Sequence, residues 1–271
     1  MDQEESSADQ IAYQLKAWLS PRFFYIFMVM NRLFLFGDST CAAKSDSARP
    51  ETGWGESFSA YLSDGWTVDN RAKNGLSSRS AILSGIFSSA LLEAEGGDAA
   101  IIQFGHNDSK PDEERHADPW TGYIADLVYM ASLLKKKGVA VYFATSIARR
   151  RFRNGIIIDT HGDYPAAMKA AGYQSGVPVI DLTVPLMIEL QRLGEEESLK
   201  YFMNFPGGIY ENYPEGKEDN THLRPAGAAW VASLVAEKLS ELDHVPVFLK
   251  SGKTCTESLS AISLMDEGIN P

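Results

Sequence analysis

The sequence predicts an α/β protein, a three-layer α/β/α sandwich built on a mostly parallel five-stranded sheet. Short apolar runs rich in branched or aromatic residues alternate with longer segments of helical period, the pattern of a sheet covered by helices on both faces. Each run is followed by a loop and then by a helical pattern, which calls for parallel crossovers. The chain of 271 residues, 44% of them hydrophobic, is long enough to bury a full core and suits one domain.

Taken in order, the strands fall at Leu33–Phe36, Thr67–Asp69, Ala99–Phe104, Ala140–Ala144 and Val177–Ile180. Helical periodicity covers Trp54–Leu62, Arg79–Glu93, Trp120–Lys137, Tyr164–Ser175, Val184–Leu193 and Pro225–Leu242. The last of these opens with a proline, which a first helical turn tolerates. Residues 1–29 read as an extension outside the fold, 30–242 as the folded domain, and 243–271 as a tail with one apolar patch at Val245–Leu249.

A formal charge of −11 argues against binding to a nucleic-acid duplex, whose phosphates reward a basic face. Two cysteines far apart, Cys41 and Cys255, suggest neither a disulfide framework nor a zinc site. The apolar run Phe23–Met30 has the length of a signal-peptide core but is too short to span a bilayer. Its leader is acidic, no small-residue cleavage site follows, and it runs directly into the first strand. A cytoplasmic protein with no membrane partner is therefore expected.

In open α/β sheets a site gathers at the carboxyl ends of the strands. That rule selects Gly37-Asp38-Ser39, Asn74-Gly75, Gly105-His106-Asn107-Asp108, and Asp219-Asn220-Thr221-His222 before the last helix. A serine hydroxyl becomes a nucleophile when an adjacent base takes its proton and a third group fixes that base's tautomer. Ser39, His222 and Asp219 are the right three types, the last two being expected on a loop that runs into a helix. Gly75 offers an approachable backbone N–H and Asn107 a neutral amide donor, which suit an oxyanion. Each also has an ordinary reading: Ser39 as an N-cap, Gly75 as a turn glycine, Asn107 as an Asx-turn residue, and Asp219 with His222 as loop and helix caps. Asp108 reads as a turn former that holds Asn107.

The segments LFLFGDST (33–40), NRAKNGLSSRS (70–80), IIQFGHND (101–108) and DNTHLRPAG (219–227) together resemble, in order and approximate spacing, the four blocks that define the SGNH (GDSL-type) hydrolase family. The resemblance covers residues 31 to about 240. It implies a flavodoxin-like sandwich, a catalytic triad of Ser39, His222 and Asp219, and an oxyanion hole formed by the Ser39 N–H, the Gly75 N–H and the Asn107 side chain. Within the family the likeness is to bacterial rhamnogalacturonan acetylesterases, carried by GWGESF (53–58), by the 70–80 block and by SIARRRF…THGDYPAAM (146–168). That implies a serine esterase of the pectin-degrading kind, acting on an acetylated sugar or oligosaccharide without cofactor or metal. A broader acyl esterase or thioesterase is the alternative within enzymes, and an inactive sugar- or flavin-binding module the alternative outside them. A lipid substrate calls for a long apolar groove, whereas the loops after the third and fourth strands are polar or arginine-rich.

Arg149, Arg150, Arg151 and Arg153 form a basic run after the fourth strand. It reads either as a solvated loop or as a source of one or two guanidinium forks for galacturonate carboxylates, with Arg149 and Arg150 the candidates. Trp54, Trp120 and Tyr164 are spaced as core or helix-start residues, with sugar stacking as the competing role for Trp120. His106, His116, His161 and His244 lack metal-site spacing and are expected at the surface or in caps.

Overall fold

The computed structural model describes residues 30–250. The expectations for residues 1–29, for Cys255 and for the tail beyond 250 lie outside the described residues. Strand β1 (Asn31–Gly37) leads through a loop to the short helix α1 (Trp54–Ser57), a 3-10 turn at Phe58–Tyr61 and β2 (Trp66–Asn70). Helices α2 (Ser78–Leu83) and α3 (Ile86–Glu93) precede β3 (Ala99–Gln103), and α4 (Ile124–Lys136) precedes β4 (Ala140–Ala144). A small hairpin, β5 (Phe152–Arg153) with β6 (Ile156–Ile157), is followed by α5 (Tyr164–Ser175), β7 (Val179–Ile180) and α6 (Thr183–Glu197). The chain closes with β8 (Phe202–Pro206), β9 (Gly216–Leu223) and α7 (Pro225–Ser240).

Five strands form the sheet in the order β2-β1-β3-β4-β7, every pair parallel. Alternation along β1 splits the core in two. Leu33 and Leu35 face a layer containing Trp54, Leu186, Leu190 and Val231, while Phe34 and Phe36 face Phe87, Leu127, Met130 and Met168. Helices α1, α6 and α7 thus cover one face and α2 to α5 the other, because successive strand side chains point to opposite sides. The apolar patch at Val245–Leu249 folds back, with Leu249 bridged to Leu62 and Phe248 buried against Trp66 and Tyr142.

Several elements depart from the sequence reading. The helix expected over 79–93 breaks at Gly85, whose φ of +80° no regular helix contains. That expected over 54–62 is one α turn continued as 3-10. The loop expected to carry Asp219 and His222 is instead β9, paired antiparallel with β8. Its residues GKEDNTHL show no apolar alternation, so periodicity had nothing to register.

Candidate active site

Strand β1 ends in a turn that Asp38 organises. Its Oδ1 accepts from the Thr40 N–H at 2.9 Å and the Thr40 hydroxyl at 2.8 Å, while its carbonyl accepts from the Cys41 and Ala42 N–H groups. Asp38, and not Ser39, therefore caps this turn, which leaves the Ser39 hydroxyl uncommitted to the backbone. The turn is closely packed at Gly37, where a Cβ would lie 3.1 Å from the Cys41 Cβ and 3.2 Å from the Gln103 carbonyl.

The Ser39 hydroxyl is 2.8 Å from His222 Nε2, and His222 Nδ1 is 2.7 Å from Asp219 Oδ2. The other Asp219 oxygen accepts from the backbone N–H groups of Thr221 at 2.8 Å and His222 at 3.0 Å. A regular strand would turn residues three apart to opposite faces. Between the pairs Phe202↔Leu223 and Asn204↔Glu218, however, β8 advances by Met203 alone while β9 bulges through Asp219, Asn220, Thr221 and His222. The bulge lets carboxylate and imidazole meet. Burial pushes the Asp219 carboxyl up, but the hydrogen bonds and charge of His222 outweigh it and hold the group well below the usual carboxylate range.

Gly75, after β2, has a φ of +81°, the left-handed conformation that a glycine adopts without strain. Among the described residues no protein acceptor takes the N–H of Gly75 or of Ser39. Asn107 is buried and gives one amide hydrogen to the Leu76 carbonyl at 2.9 Å, which keeps a second donor in hand. Asp108 does hold this loop. It accepts from the Ser78 N–H and the Gly105 N–H, both at 2.9 Å, and so joins the segment after Gly75 to the one carrying Asn107. Burial pushes its carboxyl up to about 7 in spite of those bonds.

The remaining candidates separate. Arg150 is buried, its nitrogens engaged by Ser198 Oγ, Asn220 Oδ1 and the Glu195 carbonyl, and its N–H donates to the Asn220 carbonyl at 2.8 Å. It anchors the β9 bulge, with its guanidinium engaged by these protein acceptors. Arg149 is half-buried beside the site, reaching Thr160 and the His106 carbonyl. Trp120 is 50% exposed with its indole N–H on Asp163 Oδ2 at 2.8 Å, so the core reading holds for Trp54 and Tyr164 but not for Trp120. His106 and His161 are corrected as well. Both are buried, with His161 Nε2 3.1 Å from His106 Nδ1. Burial, reinforced by neighbouring positive groups, pushes His106 well down and His161 down to about 2. Fifty-five residues separate the two, so only a tertiary contact reveals the pair. No group of three or more metal-binding side chains occurs among the described residues.

The model of the GDSL-like lipase/acylhydrolase family matches residues 35–230, a span that contains every residue of the hydrogen-bonded line above. The chain belongs to that family. Its relatives include the rhamnogalacturonan acetylesterase RhgT of Bacillus subtilis, 41% identical over 78% of this chain and 90% of RhgT. The probable rhamnogalacturonan acetylesterase YesY of the same organism is 33% identical over 78% of this chain and 94% of its own length. Among solved structures, B. subtilis YxiM superimposes with a TM-score of 0.67 at 25% identity, over 78% of this chain and 57% of that one. The five-stranded parallel sheet agrees with that likeness to YxiM. No helix among the described residues is long and apolar enough to cross a membrane.

Proposed function

We propose that this chain is a carbohydrate O-acetylesterase that removes acetyl groups from rhamnogalacturonan fragments, with Ser39 as nucleophile, His222 as general base and Asp219 as its orienting partner. The observation that carries the reading is the unbroken line from Ser39 Oγ to His222 Nε2 and from His222 Nδ1 to Asp219. In the first step Ser39 Oγ attacks the acetyl carbonyl as its proton passes to His222 Nε2, and negative charge gathers on the carbonyl oxygen. The N–H groups of Ser39 and Gly75 and the free amide hydrogen of Asn107 receive that oxygen. Collapse expels the sugar hydroxyl, which takes the proton from His222 and leaves an acetyl-serine. Water then attacks the acetyl group with His222 again as base, and acetate departs.

The substrate class rests on the kinship with RhgT and YesY and on two side chains, Trp120 and Arg149. Trp120 presents a half-exposed ring fixed by Asp163, a surface on which a sugar can stack, and Arg149 suits a uronate carboxylate. The test is acetate release by wild-type and Ser39→Ala protein from acetylated rhamnogalacturonan fragments, an aryl acetate and a medium-chain acyl ester. Release that is strongest on the pectic fragments and abolished by the substitution supports the proposal. Activity confined to the acyl ester would move the chain to a lipid or thioester role, and activity untouched by Ser39→Ala would remove the triad assignment.

A further inference from the structure

Lys44 belongs to none of the four sequence blocks, yet its side chain is only 1% exposed. Its amino group lies 2.6 Å from the Ser39 carbonyl oxygen, 2.6 Å from Asn74 Oδ1 and 2.8 Å from a Glu51 carboxylate oxygen. A lysine has three N–H donors, and here each has an acceptor. Burying an ammonium is costly unless it is paired and fully hydrogen-bonded, a condition that these three acceptors meet.

Two of the three acceptors bear on the oxyanion donors proposed above. One is Ser39 itself; the other is Asn74, whose peptide unit carries the Gly75 N–H. The ladder between β1 and β2 ends at Leu35↔Asn70, and beyond it the Lys73 N–H to the Gly37 carbonyl, at 3.2 Å, is the last backbone bond joining the two loops among the described residues. Farther out, Lys44 spans them directly. Its own segment is fixed in turn, since Glu56 Oε1 accepts from the Lys44 N–H at 3.2 Å and from the Gly53 N–H at 2.9 Å.

We infer that Lys44 is a positioning residue for acyl transfer, a clamp that fixes the Ser39 loop against the Gly75 loop so that their N–H groups converge on one oxyanion. Glu51 balances its charge. The inference rests on the proposed roles of Ser39 and Gly75. It requires loss of the clamp to weaken the transition state and leave ground-state binding alone, whereas a residue that merely supports folding would change the amount of active protein and not the balance of kcat against KM.

The test compares wild type, Lys44→Met, the double variant Lys44→Met/Glu51→Gln, which leaves no orphaned carboxylate, and Asn74→Ala at an exposed position. Each is assayed on an aryl acetate with active sites titrated. Affinity for an alkyl boronic acid is measured alongside, because Ser39 Oγ adds to boron, its proton passing to His222, and sets a boron-bound oxygen where the oxyanion forms. In the double variant kcat should fall about 100-fold, the order of loss expected when reacting groups are misplaced by about 1 Å. KM should stay within about twofold, and boronic acid affinity should fall by a factor similar to kcat. Asn74→Ala, which removes one anchor, should lose about tenfold in kcat with the same signature. Wild-type kcat in the double variant or in Asn74→Ala, or a loss carried by KM, overturns the clamp. If both Lys44 variants fail to fold, Asn74→Ala decides on the same criteria. A Ser39→Ala control that keeps its aryl acetate activity would overturn the site reading and the clamp together; an inactive Ser39→Ala beside unimpaired clamp variants overturns the clamp alone.

Discussion

Replacing Asp219 by Asn tests the site at the point where the structure makes the sharpest demand. The carboxylate serves two clients: Oδ2 faces His222 Nδ1 at 2.7 Å, while Oδ1 accepts from the backbone N–H groups of Thr221 and His222. An asparagine has one oxygen for both. Turning that oxygen to the imidazole would set its NH2 against two backbone donors and forfeit two hydrogen bonds of about 1 kcal/mol each, besides the cost of unsatisfied donors. The oxygen therefore stays on the backbone, the amide NH2 faces Nδ1, and the ring proton moves to Nε2. There it points at the Ser39 hydroxyl, and the base is lost. A wrong-tautomer substitution of this kind in a serine hydrolase costs about 10⁴ in kcat, or about 5 kcal/mol of transition-state stabilisation. Steady-state hydrolysis of an aryl acetate measures the loss, and thermal unfolding confirms that the β9 bulge, still capped through Oδ1, keeps its stability. A loss of less than about tenfold in a folded variant would refute the proposed role of Asp219.

Arg149→Ala should raise KM for acidic oligosaccharides while sparing a neutral aryl acetate, whereas Arg150→Ala, which frees the bulge at Asn220, should lower kcat on both and destabilise the protein; identical kinetic profiles would sink the distinction. Asp108, with its carboxyl pushed up to about 7, contributes stability that is complete below the unfolded value of about 4 and is lost as pH rises through 7. The buried His106 and His161, both pushed down, work oppositely: their contribution is present above about pH 6.5 and is lost as pH falls. Asp108→Asn removes the first effect, so between pH 7 and pH 5 the variant should lose about 2 kcal/mol more than wild type in urea titrations, and parallel pH dependences would count against the assignment. Gly227→Ala should destabilise by about 3 kcal/mol, because its Cβ would lie 2.0 Å from the Tyr201 backbone oxygen on the segment leading into β8; a stability within about 0.5 kcal/mol of wild type, by the same titration, would show that the contact relaxes freely.

The five sheet strands and the helices α4 to α7 were legible because each has an apolar period or run of sufficient length, and the residues after the strands were legible because topology gathers them at one edge. The hairpin of β5 and β6 was not, being two residues per strand. Nor was β9, whose polar residues carry no alternation and whose strand identity comes from pairing with β8. Trp120 misled for a related reason. Aromatic residues at helix starts usually pack inward, and only the placement of Asp163 shows this ring held at the surface.

By itself the sequence determined the chemistry on offer: a serine and two neutral donors set by covalent order after strands, and a histidine and a carboxylate set just before the last helix. Tertiary structure alone decided how those groups face one another. The bulge that turns Asp219 toward His222, the engagement of Arg150 with Asn220, the contact of His106 with His161 and the reach of Lys44 to Ser39 and Asn74 all join segments whose proximity depends on packing. A residue type states what a side chain can donate or accept, but burial and distance decide which partner receives it.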